Sequence, residues 1–241
     1  MHKLYQKSEI WFSIAWIILY VVGTSVTDGI HKSVTLGLHV VMSAVLLVWM
    51  KRNGLMEKYG LCRSGIPAKK FLYYVPLAVI MSCNLWFGVT MNMPHGETLL
   101  YVGSMLCVGF LEEIIFRGLL FRAMEKENLK AAVIVSSVTF GIGHIVNLIN
   151  GSGADLLSNL CQVCYAIAFG FMCVTLLYRG RSLIPCIVTH STVNMLSVFL
   201  PQQTPGQEIF TAAMLTVIPV VYILYLMKSL PKVAVDKPEK Q

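Results

Sequence analysis

The sequence predicts an all-α fold, a polytopic membrane helix bundle of about eight transmembrane helices, on two observations. The chain of 241 residues is 56% hydrophobic and only 13% charged, where an average soluble domain carries about 25% charged residues. About eight apolar runs are long enough to cross a ~30 Å hydrocarbon core at ~1.5 Å per residue. They lie at 10–27, 34–50, 71–91, 99–123, 129–149, 156–178, 182–200 and 208–228. The connections leave no room for a soluble domain, so residues 1–241 read as one transmembrane domain, with the chemically interesting core at 99–200.

The first run follows Lys3 and Lys7 as a signal peptide would. No small-x-small site closes a short apolar region, however, and the run is long enough to span, so it is read as a retained helix with Trp11 placed for an interfacial belt. After the second run comes the longest connection, KRNGLMEKYGLCRSGIPAKK at 51–70, which is basic and broken by Gly54, Gly60, Gly65 and Pro67. It is expected to lie along the membrane surface, partly as an interfacial helix. Pro76, Pro185 and Pro219 fall within or near the ends of runs, where a kink is tolerated if neighbours satisfy the freed carbonyl. The sixth run carries Cys161 and Cys164 of CQVC. With no second CxxC and no nearby histidine, these and the other cysteines read as packing residues. The polar tail KPEKQ reads as a frayed end.

Charge sets the orientation. With an even number of spans both termini share a side, and that side collects all of the 19 basic residues except Lys32, on the opposite side, and Arg117, inside a span. By the positive-inside rule that side is the cytoplasm. The net charge of +7 is therefore a topology signal that also suits contact with an anionic lipid bilayer, and it gives no nucleic-acid reading. Compact size without targeting tails points to a bacterial plasma membrane.

The stretch GFLEEIIFRGLLFRA, 109–123, places Glu112, Glu113 and Arg117 in the middle of the fourth run. A charge at the centre of a transmembrane helix costs about 2.5–3.5 kcal/mol on insertion scales, so intramembrane carboxylates call for a function or a partner. Glu113 and Arg117 are one helical turn apart and can pair, which reads as a structural ion pair, while Glu112 points about 100° away. Its partner must come from another span. In SSVTFGIGHIVNL of the fifth run, Phe140 and His144 are a turn apart, with Gly141 and Gly143 allowing close helix approach. In PCIVTHSTVNML of the seventh, His190 and Asn194 share a face. Counted from the cytoplasmic ends, Glu112 lies about 16 Å deep, His144 about 21 Å, His190 about 12 Å and Asn194 about 18 Å, so one slab near mid-bilayer holds all four.

A glutamate and a histidine can share a water and deprotonate it for attack on a carbonyl, and an imidazole and an asparagine amide can stabilise the oxyanion that develops. That set suits hydrolysis of an amide. In order, EEIIFR, FGIGH and HSTVN match the EExxxR, FxxxH and HxxxN signatures, and over residues 112–194 the chain resembles the CPBP family of intramembrane endopeptidases. That family includes the type II CAAX prenyl endopeptidases and bacterial members linked to bacteriocin self-immunity and peptide processing. The resemblance implies that Glu112 and His144 activate the water and that His190 and Asn194 form the oxyanion site. Glu113 and Arg117 then support, and Phe140 packs.

The resemblance favours a glutamate mechanism with no metal cofactor. The competing reading is a zinc on Glu112, His144 and His190, a His2Glu set that would leave a fourth position for water, although no HExxH is present. Two non-enzymatic classes also compete: a proton-coupled transporter, which the same intramembrane residues would suit, and an immunity or scaffold protein that binds a bacteriocin. No inverted repeat supports the transporter. As a protease the chain would take a small peptide or a membrane-associated protein, lipidated or not, with C-terminal or leader cleavage as the expected reaction.

Overall fold

The structure, a computed structural model, describes residues 1–66, 74–148 and 155–230. Pro67, Lys69, Lys70, the start of the run at 71–91, the last residue of the run at 129–149 and the KPEKQ tail lie outside the described residues. Among those described there is no strand. The helices are α1 (His2–Lys7), α2 (Glu9–Asp28), α3 (Lys32–Arg52), α4 (Val75–Met81), α5 (His95–Glu112), α6 (Arg122–Glu125), α7 (Leu129–Gly143), α8 (Leu156–Gly180), α9 (Ile184–Leu196) and α10 (Pro205–Ser229). Between α5 and α6 the helix continues without a break but widens into π geometry over Glu113–Phe121, so His95–Glu125 is one rod. Short polar residues start several helices. Asn128 accepts from the Ala131 N–H, Asp155 from the Ser158 N–H, and Thr204 forms a capping box with Gln207.

Among the described residues six helices are long and apolar enough to cross a membrane, and Ile184–Phe199 is a shorter apolar one. The expected polytopic helical bundle is present, with the runs at 71–91 and 182–200 represented by shorter helices among the described residues. The run at 71–91 does not form a spanning helix: α4 ends at Met81, a 3-10 turn covers Cys83–Leu85, and Gly88 adopts φ 102. The side-chain amides of Asn84 and Asn92 donate to the carbonyls of Val193 at 2.7 Å and of Val198 and Leu200 at 2.9 and 2.7 Å, which ties the segment to the end of α9. The described part of the 51–70 connection is likewise no interfacial helix. It is a series of turns, with Gly54 and Gly60 at φ 68 and 73, and it inserts Tyr59 into the core at 1% exposure.

Side-chain bonds show which helix ends meet. Glu9 at the start of α2 accepts from Lys58 at 2.8 Å and from Lys126 at 2.7 Å, Leu183 N–H bonds the Gly60 carbonyl at 2.8 Å, and Arg179 bonds the Leu230 carbonyl at 3.1 Å. At the other end Lys32 pairs with Glu97, Thr90 N–H bonds the Phe199 carbonyl at 2.9 Å, and Ser158 bonds Glu208 at 2.9 Å. The chain therefore still passes from one end to the other between α3 and α5, through a short helix and extended backbone. The basic connections gather at the Glu9 end, as the loop charges require of a single side.

Two glycines let helices carrying polar residues approach closely. A Cβ on Gly109 of α5 would lie 2.4 Å from Ser191 Oγ and 2.5 Å from Ser191 N on α9, and one on Gly141 of α7 would lie 2.8 Å from Ile167 N on α8. Gly143, expected to serve the same purpose, has nothing within 4 Å. Because the Ser191 backbone cannot give way as a flexible side chain would, Gly109→Ala is expected to push α9 off α5. It should destabilise the protein by about 1–3 kcal/mol and lower activity, while Gly143→Ala leaves thermal unfolding in detergent unchanged.

Candidate active site

The wide π turn begins at Glu113, directly after Glu112, and π turns of this kind are frequent at functional sites. Ser136 of α7 donates to the Phe116 carbonyl at 2.8 Å, anchoring that turn to its neighbour. On this rod the two consecutive carboxylates reach opposite nitrogens of one imidazole. His190 Nδ1 lies 2.9 Å from Glu113 Oε1, and His190 Nε2 lies 3.4 Å from Glu112 Oε2. A carboxylate only accepts, so Nδ1 carries the proton shared with Glu113, and Nε2 can donate only from the doubly protonated ring.

Glu113 and Arg117 are both fully buried, and Arg117 Nη1 donates to Glu113 Oε1 at 3.0 Å. The pair expected from the one-turn spacing is present, and it does more than brace the helix, because the same oxygen takes the proton of His190. The remaining face of the guanidinium lies against Phe140, with Cζ 3.9 Å from the ring centroid. Phe140 also meets His144 and His190 edge to face, at centroid separations of 5.3 and 5.6 Å. One aromatic ring thus touches a charged or polar residue of each motif helix.

His144 ends α7 and opens a 3-10 turn, and its carbonyl accepts from Asn159 of α8 at 2.8 Å. His144, His190 and Asn194 line one cavity that is partly open to the outside, with Phe140 beside them. Its other walls are mostly apolar, including Ile80 of α4, Phe169 of α8 and Leu215 of α10, with Gln162 and Tyr165 of α8 adding polar groups. Glu112 is not part of the lining, but its Oε2 approaches through His190 and has no hydrogen-bond partner among the described residues. All seven residues singled out from the sequence are therefore contiguous.

Sequence reasoning missed the residues that surround this group. Tyr20 of α2 donates to Glu112 Oε1 at 2.7 Å, and Phe169 meets His190 at 5.2 Å. The requirement that Glu112 find a partner in another span pointed to a donor such as Tyr20; Phe169 gave no signal beyond apolarity. The ligand atoms of Glu113, Cys173 and Cys186, all buried, lie within 4.8 Å of one another, a convergence that Glu112, His144 and His190 do not match. Arg117 already occupies Glu113 in that buried trio, which sets a positive charge where a cation would sit.

Residues 94–196 match the family model described as type II CAAX prenyl endopeptidase Rce1-like. Over those residues the chain is similar to that family, which agrees with the resemblance carried by the three motifs. The matched segment contains every residue of the three motifs, and α2, α3 and α10 lie outside it. No curated protein and no solved structure matches the chain. The match supports, in general terms, an intramembrane endopeptidase of the CAAX type in a multi-pass membrane chain.

Proposed function

We propose that this protease hydrolyses a peptide bond with a water activated by Glu112 and His144, without a metal. The observation that carries the proposal is the unpartnered Glu112 Oε2 beside a cavity lined by His144, His190 and Asn194. In the proposed step the water oxygen attacks the scissile carbonyl carbon as its proton passes to Glu112. The oxyanion accepts hydrogen bonds from Nε2 of a doubly protonated His190 and from the Asn194 amide, each such donor being worth about 10²- to 10³-fold. Collapse then breaks the C–N bond as the proton moves from Glu112 to the leaving amine, giving a carboxylic acid and an amine. Glu113 holds the His190 ring in place throughout.

The substrate we assign is the C-terminal region or leader of a membrane-associated protein or small peptide, since apolar side chains dominate the cavity wall. We place the Glu9 end of the bundle, and with it the N-terminus, on the cytoplasmic side of a plasma membrane, because the basic connections gather there. Purified protein in lipid is expected to cleave a prenylated CAAX peptide or members of an unprenylated peptide library. Folded protein that cleaves neither contradicts the proposal and favours a transport or immunity function.

A further inference from the structure

The helix that completes the site carries none of the three motifs and lies outside the segment that matches the family model. Tyr20 of α2 is 7% exposed, and its hydroxyl donates to Glu112 Oε1 at 2.7 Å, the shortest contact to that carboxylate. With Oε1 so engaged, the oxygen left over is Oε2, which is buried, has no hydrogen-bond partner among the described residues and faces His190 Nε2 at 3.4 Å. The terminal torsion of a glutamate is broad, so nothing in the side chain itself decides which oxygen faces the reaction. Tyr20 decides it.

Tyr20 is itself held from behind. Its ring lies 5.9 Å from that of His39 on α3, which is fully buried and bonded on both nitrogens, to Thr24 of α2 at 3.0 Å and to Ser104 of α5 at 2.8 Å. Ser104 stands on the same rod as Glu112, so a continuous set of contacts runs from α5 through α3 and α2 back to the carboxylate on α5. A network satisfied at both imidazole nitrogens is stiff, because each polar group would lose a buried partner on moving.

We propose that Tyr20 is a positioning residue of the hydrolytic reaction, whose hydroxyl fixes the Glu112 carboxylate with Oε2 turned toward the water and the scissile carbonyl. This rests on the reading of Glu112 as the base. It assigns a function to an N-terminal helix that the family match does not reach.

The test compares wild type with Tyr20→Phe, which keeps the ring and removes the hydroxyl, in the same background and in Glu112→Asp, whose carboxylate stands one methylene short of Tyr20. The kcat of Tyr20→Phe is expected to fall by about 10- to 100-fold, the worth of one hydrogen bond to a charged group, with KM and the melting temperature unchanged. In the Glu112→Asp background the same substitution is expected to add no further loss. Wild-type kcat in Tyr20→Phe, or losses that multiply independently of the residue at 112, overturns the proposal. Tyr20→Met, which fills the site without a hydroxyl, carries the same expectation should the phenylalanine variant not fold. If Glu112→Gln itself stays active the base reading fails first; if it is inactive while Tyr20→Phe turns over normally, the positioning of Tyr20 alone is refuted.

Discussion

Glu112→Gln is expected to lower kcat/KM by about 10²- to 10⁴-fold, the range of a positioned acid–base group, while the protein folds as before. Glutamine has the same shape, and its amide oxygen can still accept the Tyr20 hydroxyl that now bonds Oε1. What is lost is the basic oxygen beside His190. The fold survives because Glu112 takes no part in the buried ion pair, which Glu113 makes with Arg117 on the other side of the imidazole. Steady-state kinetics on a cleaved peptide, together with thermal unfolding in detergent, separate the two effects. A binding protein that merely kept the motifs for folding would show no change in function.

Arg117→Met should have the opposite profile, with its largest effect on stability. Glu113 is fully buried, and its Oε1 is shared by Arg117 and His190, so removing the guanidinium leaves a carboxylate with too little compensation. Breaking a buried pair from one side typically costs about 3–5 kcal/mol. Neutralising both partners, Glu113→Gln with Arg117→Met, is expected to recover much of that loss, since the desolvated charge is then absent. Unfolding free energies of the two variants measure this, and a double variant less stable than Arg117→Met would contradict it. The same geometry predicts that the double variant stays impaired in catalysis, because His190 loses a charged partner on Nδ1.

The helical-bundle fold class was legible in the sequence, and so was the grouping of the polar residues. Charges and histidines stand out against an apolar background, and their spacing put Glu113 with Arg117 and His190 with Asn194 on shared faces; the contiguity of all seven residues in space follows from helix packing at Gly109 and Gly141. Periodicity could not show that Glu112 and Glu113 face the two nitrogens of His190, because that needs the relative rotation of α5 and α9 and the wide turn starting at Glu113. The run at 71–91 misled because composition measures apolarity and not backbone satisfaction. Asn84 and Asn92, spent on the carbonyls of Val193, Val198 and Leu200, mark a segment that wraps a neighbour, and Gly88 supplies the turn. Tyr20 escaped notice since a lone tyrosine in an apolar helix usually reports only packing or an interface.

The proposed hydrolysis depends on a carboxylate that activates water without a metal, and the most direct test is to measure peptide cleavage by the purified protein in lipid after exhaustive treatment with a strong chelator. Full activity with no metal retained per chain, lost in Glu112→Gln, is the predicted result. Activity abolished by the chelator and restored by zinc would contradict the account and make ligands of Glu112, His144 and His190, which would then have to draw closer together than they stand.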